Sequence, residues 1–65
     1  MKGKVKWYNS KKGYGFIIDN DNNLDYFLHY SQLPNGYIPK DNEKCEFDGI
    51  ETTKGKQAKN IVFIK

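Results

Sequence analysis

The sequence predicts an all-β domain whose short strands close into a small barrel. Apolar and polar residues alternate with a period of two over separate segments, and no segment has the spacing of an amphipathic helix. The segments between them are polar and rich in Gly, Asn and Asp, which is typical of turns. In a chain of 65 residues, closure is favoured over a flat sheet because it removes unpaired strand edges.

The alternation predicts strands over residues 2–8, 14–18, 24–30, 44–50 and 57–64. Residues 9–13 form a polar break that ends in glycine, 19–23 are a run of Asp and Asn, and 52–56 link the last two strands. The longer connection, 31–42, contains Pro34 and Pro39. We expect a short helical turn at 31–33 within it.

Composition indicates one small domain with a moderate positive charge. No repeat or change of composition marks a second unit, so we expect a single domain over 1–65. Eleven basic residues against eight acidic ones give a net charge of +3, which favours a polyanionic partner without requiring one. The single Cys45 cannot form an internal disulfide and fits a reducing compartment.

The sequence predicts neither membrane insertion nor secretion. No apolar run is long enough for a transmembrane helix, and the basic N-terminus leads into alternation instead of the apolar core of a signal peptide. We therefore expect a cytoplasmic protein that does not bind membranes. A monomer is the expected oligomeric state.

The strands carry two apolar sets on opposite faces, and a barrel of one layer has only one interior. The aliphatic-rich set is the better interior; it comprises Val5, Ile17, Tyr26, Leu28, Cys45, Phe47 and either Ile61 or Phe63. Tyr14, Phe16, Phe27 and His29 are then left facing water. Although aromatic residues of small β-proteins are more often core, an exposed aromatic patch usually marks a binding site.

Lysines border these rings. Lys11 and Lys12 precede Gly13 and Tyr14, so cations and flat rings share one surface. Unpaired bases stack on such rings while lysines contact the phosphates, which predicts a partner of single-stranded nucleic acid.

Two motifs, in the right order and separation, make the chain resemble the cold-shock domain family over essentially its whole length. Residues 3–9, followed by Lys-Gly-Tyr-Gly-Phe-Ile at 12–17, are similar to the family's opening segment and its first ribonucleoprotein motif. Residues 26–31, Tyr-Phe-Leu-His-Tyr-Ser, resemble the second motif, and Gly55, Gln57, Ala58 and Asn60 resemble the closing segment. The resemblance implies a five-stranded antiparallel oligonucleotide-binding (OB) barrel that binds single-stranded RNA and DNA.

The resemblance also implies which residues bind. By position, the stacking residues are Trp7, Tyr14, Phe16, Phe27, His29, Tyr30 and Tyr37, and the basic contacts are Lys6 and Lys12. Strict alternation would turn Trp7 inward with Val5, whereas the family exposes this ring. A twist or bulge near the end of the first strand is therefore expected.

The chain departs from the family at several positions. Tyrosine stands at 8, 14, 30 and 37, where the family usually has phenylalanine; the ring face is kept and a hydroxyl is added. Gly49 replaces a common core aliphatic, which predicts a small void or a shifted register with Ile50. Lys56 replaces a common proline and is expected to loosen the last loop.

The function predicted from these residues is an ATP-independent RNA chaperone without enzymatic activity, cofactor or metal. His29 is the only histidine, and no zinc-ligand cluster is present. Asp19, Asp21 and Asp25 lie in or beside one polar turn, where solvated loop carboxylates are the simpler interpretation. The alternative is a small β-barrel that uses the same aromatic surface for protein–protein contact.

Overall fold

The computed structural model describes residues 1–34 and 36–64, and it confirms the predicted all-β fold. The strands are β1 (Lys2–Asn9), β2 (Tyr14–Asp19), β3 (Asp25–His29), β4 (Lys44–Thr52) and β5 (Gly55–Phe63), and a 3-10 helix spans Tyr30–Gln32. The helical turn thus begins one residue earlier than predicted. In the described part of the chain, no helix is both long and apolar enough to cross a membrane.

The strands form a closed barrel in the order β1-β2-β3-β5-β4. Strand β1 is antiparallel to both β2 and β4, and β4 is antiparallel to β5. The contact between β3 and β5 is parallel and pairs Phe27 with Gln57. It is the one departure from the expected antiparallel pairing, because a closed ring with an odd number of strands cannot alternate direction at every contact.

The predicted interior set fills the barrel. Buried apolar residues are Val5, Ile17, Tyr26, Leu28, Cys45, Phe47, Ala58 and Ile61. Ile61 occupies the position that the sequence left open between it and Phe63, which is only partly buried. Desolvation raises the pKa of the Cys45 thiol to about 11, and the Glu43 carboxylate adds to that effect. Cys45 is therefore a protonated core residue at neutral pH.

Gly49 does not leave the expected void, because a neighbouring ring occupies the space. A Cβ atom built on Gly49 would lie 2.5 Å from Cε2 of Tyr26 and 2.8 Å from the sulfur of Met1. A register shift does occur in β4, but it lies between Glu46 and Asp48. Beyond it, Gly49 pairs regularly with Ala58, so the small residue at 49 accommodates the large one at 26.

Candidate nucleic-acid interface

A bulge in β1 turns Trp7 to the outside of the barrel. Val5 pairs with Ile17 and Trp7 with Phe16, so β1 contains one extra residue, Lys6, between the two pairs. The extra residue breaks the alternation: Val5 is fully buried, whereas Trp7 is 36% exposed. The predicted bulge is confirmed, and it places Trp7 beside Phe16 on the outer surface.

The register of the first three strands brings five rings together. Trp7 pairs with Phe16, Phe16 with Phe27, and Tyr14 with His29. Centroids of Trp7 and Phe16 are 5.4 Å apart, and those of Phe16 and Phe27 are 5.8 Å apart. We call this surface the aromatic face; it consists of Trp7, Tyr14, Phe16, Phe27 and His29.

The rings of the aromatic face support one another. Trp7 contacts Phe16 edge-on at an interplanar angle of 61°, and Phe16 contacts Phe27 at 75°. Tyr14 stacks on Phe27 at 27° with centroids 5.7 Å apart. The two rings of each such pair attract one another, and every side chain of the aromatic face except Trp7 is half-buried. The rings are therefore held in place before a ligand arrives.

Gly15 allows β1 and β2 to approach closely beneath these rings. A Cβ atom at this position would lie 2.1 Å from the carbonyl oxygen of Trp7 and 2.7 Å from Cα of Tyr8. No side chain fits there. The glycine between Tyr14 and Phe16 therefore keeps both rings at the distance from Trp7 that the aromatic face requires.

The aromatic face borders a cleft to which β5 and the β4–β5 turn contribute. The cleft is lined by Phe16, Phe27 and His29 together with Thr52, Lys54 and Gln57. Sequence reasoning missed these last three residues. The parallel contact of Gln57 with Phe27 brings them there, and no local pattern signals that contact.

The two predicted basic residues differ in their surroundings. Nζ of Lys6 lies 3.0 Å from Oδ2 of Asp25, so a half-exposed ion pair partly neutralises its charge. Lys12 is exposed and lines a shallow cleft with Tyr8 and Tyr30. Its backbone N–H donates to Oδ1 of Asn9 at 3.0 Å, which fixes the turn that carries it.

His29 uses one ring nitrogen to begin the 3-10 helix. The backbone N–H of Ser31 donates to Nδ1 at 3.2 Å, and Oγ of Ser31 lies 2.8 Å from the same atom. Because Nδ1 accepts a hydrogen bond, the neutral ring carries its proton on Nε2. The His29 ring also lies 4.4 Å from that of Tyr30, which is 56% exposed at the edge of the aromatic face.

Tyr37 lies apart from the aromatic face, in a second cleft. We call this the tyrosine cleft; it is lined by Tyr8, Ser10, Tyr30, Leu33, Pro34, Gly36, Tyr37 and Ile38. The Tyr37 ring packs on Phe63 with centroids 4.7 Å apart, and its hydroxyl donates to Oε2 of Glu43. Tyr30 lies between the two surfaces, so the predicted stacking residues form two neighbouring groups.

The hydrogen bond between Tyr37 and Glu43 changes the pKa of both groups. The bond itself, more than desolvation or the charge of Glu43, raises the pKa of Tyr37 above its ordinary 10.0. Desolvation opposes ionisation of Glu43, but hydrogen bonds from Tyr37 and the Lys40 backbone, with the charge of Lys40, lower its pKa below the ordinary 4.5. The phenol and the carboxylate therefore form a matched donor and acceptor at neutral pH.

We expect Tyr37→Phe to remove a stabilising contribution that depends on pH. A lowered Glu43 pKa stabilises the fold above the unfolded value of 4.5, and this is lost as pH falls through the folded pKa. The raised pKa of Tyr37 likewise stabilises the fold at pH values below the unfolded pKa of 10.0. This stabilisation is lost as pH rises through the folded pKa. Urea unfolding of both proteins across pH should show the largest difference near neutrality; a difference independent of pH would contradict this assignment.

The acidic turn and His29 do not assemble a metal site in the structure. Between residues 1 and 64, leaving out Asn35, no three His, Cys, Asp or Glu side chains approach closely enough to hold one ion. The buried Asp19 carboxylate instead accepts the backbone N–H of Asp21 at 2.9 Å. Its role in the structure is to close the β2–β3 turn.

Comparisons with known proteins agree with this geometry. A family model described as "'Cold-shock' DNA-binding domain" matches residues 1–64. A cold shock-like protein of Aquifex aeolicus is 44% identical over 63 residues, which cover 94% of this chain and 90% of that protein. The major cold shock protein of Micrococcus luteus is 44% identical over 61 residues, covering 91% of each chain.

Another relative is the cold shock-like protein CspC of Bacillus cereus, 41% identical over 64 residues, which cover 95% of this chain and 97% of that protein. The predicted resemblance is thereby confirmed along the chain. Together with the family match, these relatives show that the chain belongs to the cold-shock domain family, a family of nucleic-acid-binding proteins.

Proposed function

We propose that this protein binds single-stranded RNA and DNA by stacking unpaired bases on the aromatic face and the adjoining tyrosine cleft. The observation that supports this most strongly is the contact of Trp7, Phe16 and Phe27 on the outside of three adjacent strands. In a duplex the bases are already stacked on one another, so their faces cannot reach these rings. The proposed site comprises Trp7, Tyr14, Phe16, Phe27, His29, Tyr30 and Tyr37 for stacking, with Lys6 and Lys12 for the phosphates.

Stacking is expected to contribute more to affinity than charge. Each base on an aromatic side chain contributes roughly 1–3 kcal/mol, so three or four contacts suffice for micromolar binding at about −8 kcal/mol. Each phosphate that the protein neutralises on a single strand adds about −0.7 to the slope of log K against log salt concentration, which we call the salt slope. Because Lys6 already has Asp25 as a partner, the salt dependence on short strands should be shallow.

Binding only the unpaired form makes the protein an RNA chaperone that needs no ATP. At a free concentration of about 100 times Kd, one bound protein favours the open strand by about 2.7 kcal/mol. A base-pair step is worth about 1.4 kcal/mol on average in DNA, so each bound protein compensates for about two steps. We therefore expect the protein to open short, weak secondary structures and to leave long stems closed. We propose that the protein acts as a cytoplasmic monomer with no catalytic step.

Hairpins of graded stem length test this proposal. An RNA with a fluorophore and a quencher at its ends is mixed with protein at about 100 times the single-strand Kd, without ATP. We expect stems of about three base pairs to open and stems of about ten to stay closed. A three-pair hairpin that stays closed while an unstructured RNA of equal length is bound would contradict the chaperone role but not single-strand binding.

A further inference from the structure

Two lysines face each other on the outside of the barrel. In the antiparallel pairing of β1 with β4, Lys4 lies directly opposite Lys44. Both side chains are exposed. Like charges at directly opposed positions of an antiparallel pair destabilise the sheet. A local rule of sheet stability is therefore broken at this position, which is the kind of departure that functional sites show.

No carboxylate neutralises this pair in the described chain. The ion pairs found among residues 1–34 and 36–64 join Lys6 with Asp25 and Lys56 with Glu51. On β4, the outward acid next along the strand is Glu46, and it lies opposite Lys2 instead of Lys4. We call Lys4 and Lys44 the lysine pair. Among the described residues, neither lysine of the pair takes part in an ion pair.

The lysine pair is continuous with the aromatic face. On β1, Lys4, Lys6 and Trp7 all point outward, since the bulge lies between Val5 and Trp7. On β2, Ile18 pairs with Lys4 and follows Phe16 on the same side of the strand. A strand of nucleic acid that leaves the aromatic face at Trp7 along β1 would therefore pass directly over Lys4, with Lys44 beside it.

We propose that the lysine pair binds the phosphates of a single strand that extends beyond the aromatic face past Trp7. This inference rests on the proposed single-strand binding and lengthens its site along β1 and across to β4. Like charges at directly opposed positions destabilise the free protein, and a phosphate bound by both lysines would remove that cost. The pair should therefore lower stability and raise affinity for long strands at the same time.

The test compares Lys44→Gln with Lys59→Gln, which removes the same charge from an exposed lysine that lies opposite Asp48 on the neighbouring strand. Oligothymidines of about 6 and about 18 nucleotides are titrated between about 0.05 and 0.3 M salt. For the longer strand, Lys44→Gln should reduce the salt slope by about 0.7, which corresponds to a loss of affinity of about fivefold at 0.1 M. Lys59→Gln should leave that slope unchanged, and the shorter strand should bind all three proteins alike.

Thermal unfolding supplies a second readout. Lys44→Gln should raise Tm because it removes the repulsion between Lys4 and Lys44. Lys59→Gln removes an attraction between the opposed charges of Lys59 and Asp48, so it should not raise Tm. Equal slopes and affinities for the two variants on the longer strand would overturn the inference. If the wild-type protein bound the shorter strand no better than a duplex, the proposed function itself would fail, so the two failures are distinguishable.

Discussion

Replacing Phe27 by alanine is expected to weaken binding of a short oligothymidine by about 5- to 150-fold. Phe27 lies at the centre of the aromatic face, where its ring contacts those of Tyr14, Phe16 and His29. Removing it deletes one stacking platform, worth roughly 1–3 kcal/mol, and also a contact that holds its neighbours. Phe16→Ala should behave similarly. Equilibrium titration by anisotropy of a labelled strand measures both.

Two controls separate stacking from other contributions. Val62→Ala shortens the apolar side chain of a residue that is 63% exposed on β5, outside the aromatic face, and should leave the affinity unchanged. Lys12→Ala removes a cation near the rings, and at moderate salt it should reduce the binding affinity less than either Phe variant does. Comparable losses for Lys12→Ala and Phe27→Ala, in proteins shown to be folded, would contradict the priority of stacking over charge.

Gly49→Val is expected to destabilise the fold by about 1–3 kcal/mol through overpacking. Its Cβ atom alone would lie 2.5 Å from the ring of Tyr26, which is 7% exposed and packs on Phe47. A domain of 65 residues has a free energy of unfolding of about 3–10 kcal/mol, so this loss is a large part of the total. Urea unfolding measures the change.

The matching test is a double-mutant cycle with Tyr26→Val. Alone, Tyr26→Val should also destabilise, because it leaves a cavity over Gly49. Combined with Gly49→Val, the volume lost at 26 is restored at 49, and the double variant should be more stable than either single variant. Additive losses in the cycle would show that these two positions do not share one space.

Alternation along the chain was enough to predict the strands and most of the core. The position of Trp7 was not predictable this way, because strict alternation buries it with Val5. The extra residue that exposes Trp7 is visible only when β1 is aligned on β2. From the sequence, a bulge is expected only because the family that the chain resembles exposes this ring. The bulge is a property of strand pairing and not of local sequence.

Contacts between distant segments account for what the sequence did not predict. Gln57 reaches Phe27 through the parallel contact that an odd number of strands imposes. At Gly49 the sequence predicts a small void or a shifted register, because the ring that fills the space belongs to Tyr26, on another strand. In the same way, the opposition of Lys4 and Lys44 depends on the register of β1 with β4. Each of these features needs a register that no single segment specifies.

The intrinsic fluorescence of Trp7 tests the central claim most directly. It is the only tryptophan, and its ring contacts Tyr14 and Phe16 on the aromatic face. Titration with a short oligothymidine should quench this emission strongly, while the same length as a duplex with its complement should leave it unchanged. Unchanged emission with both, in a folded protein that also shows no binding in a label-free assay, would contradict base stacking and favour the aromatic face as a protein-docking surface.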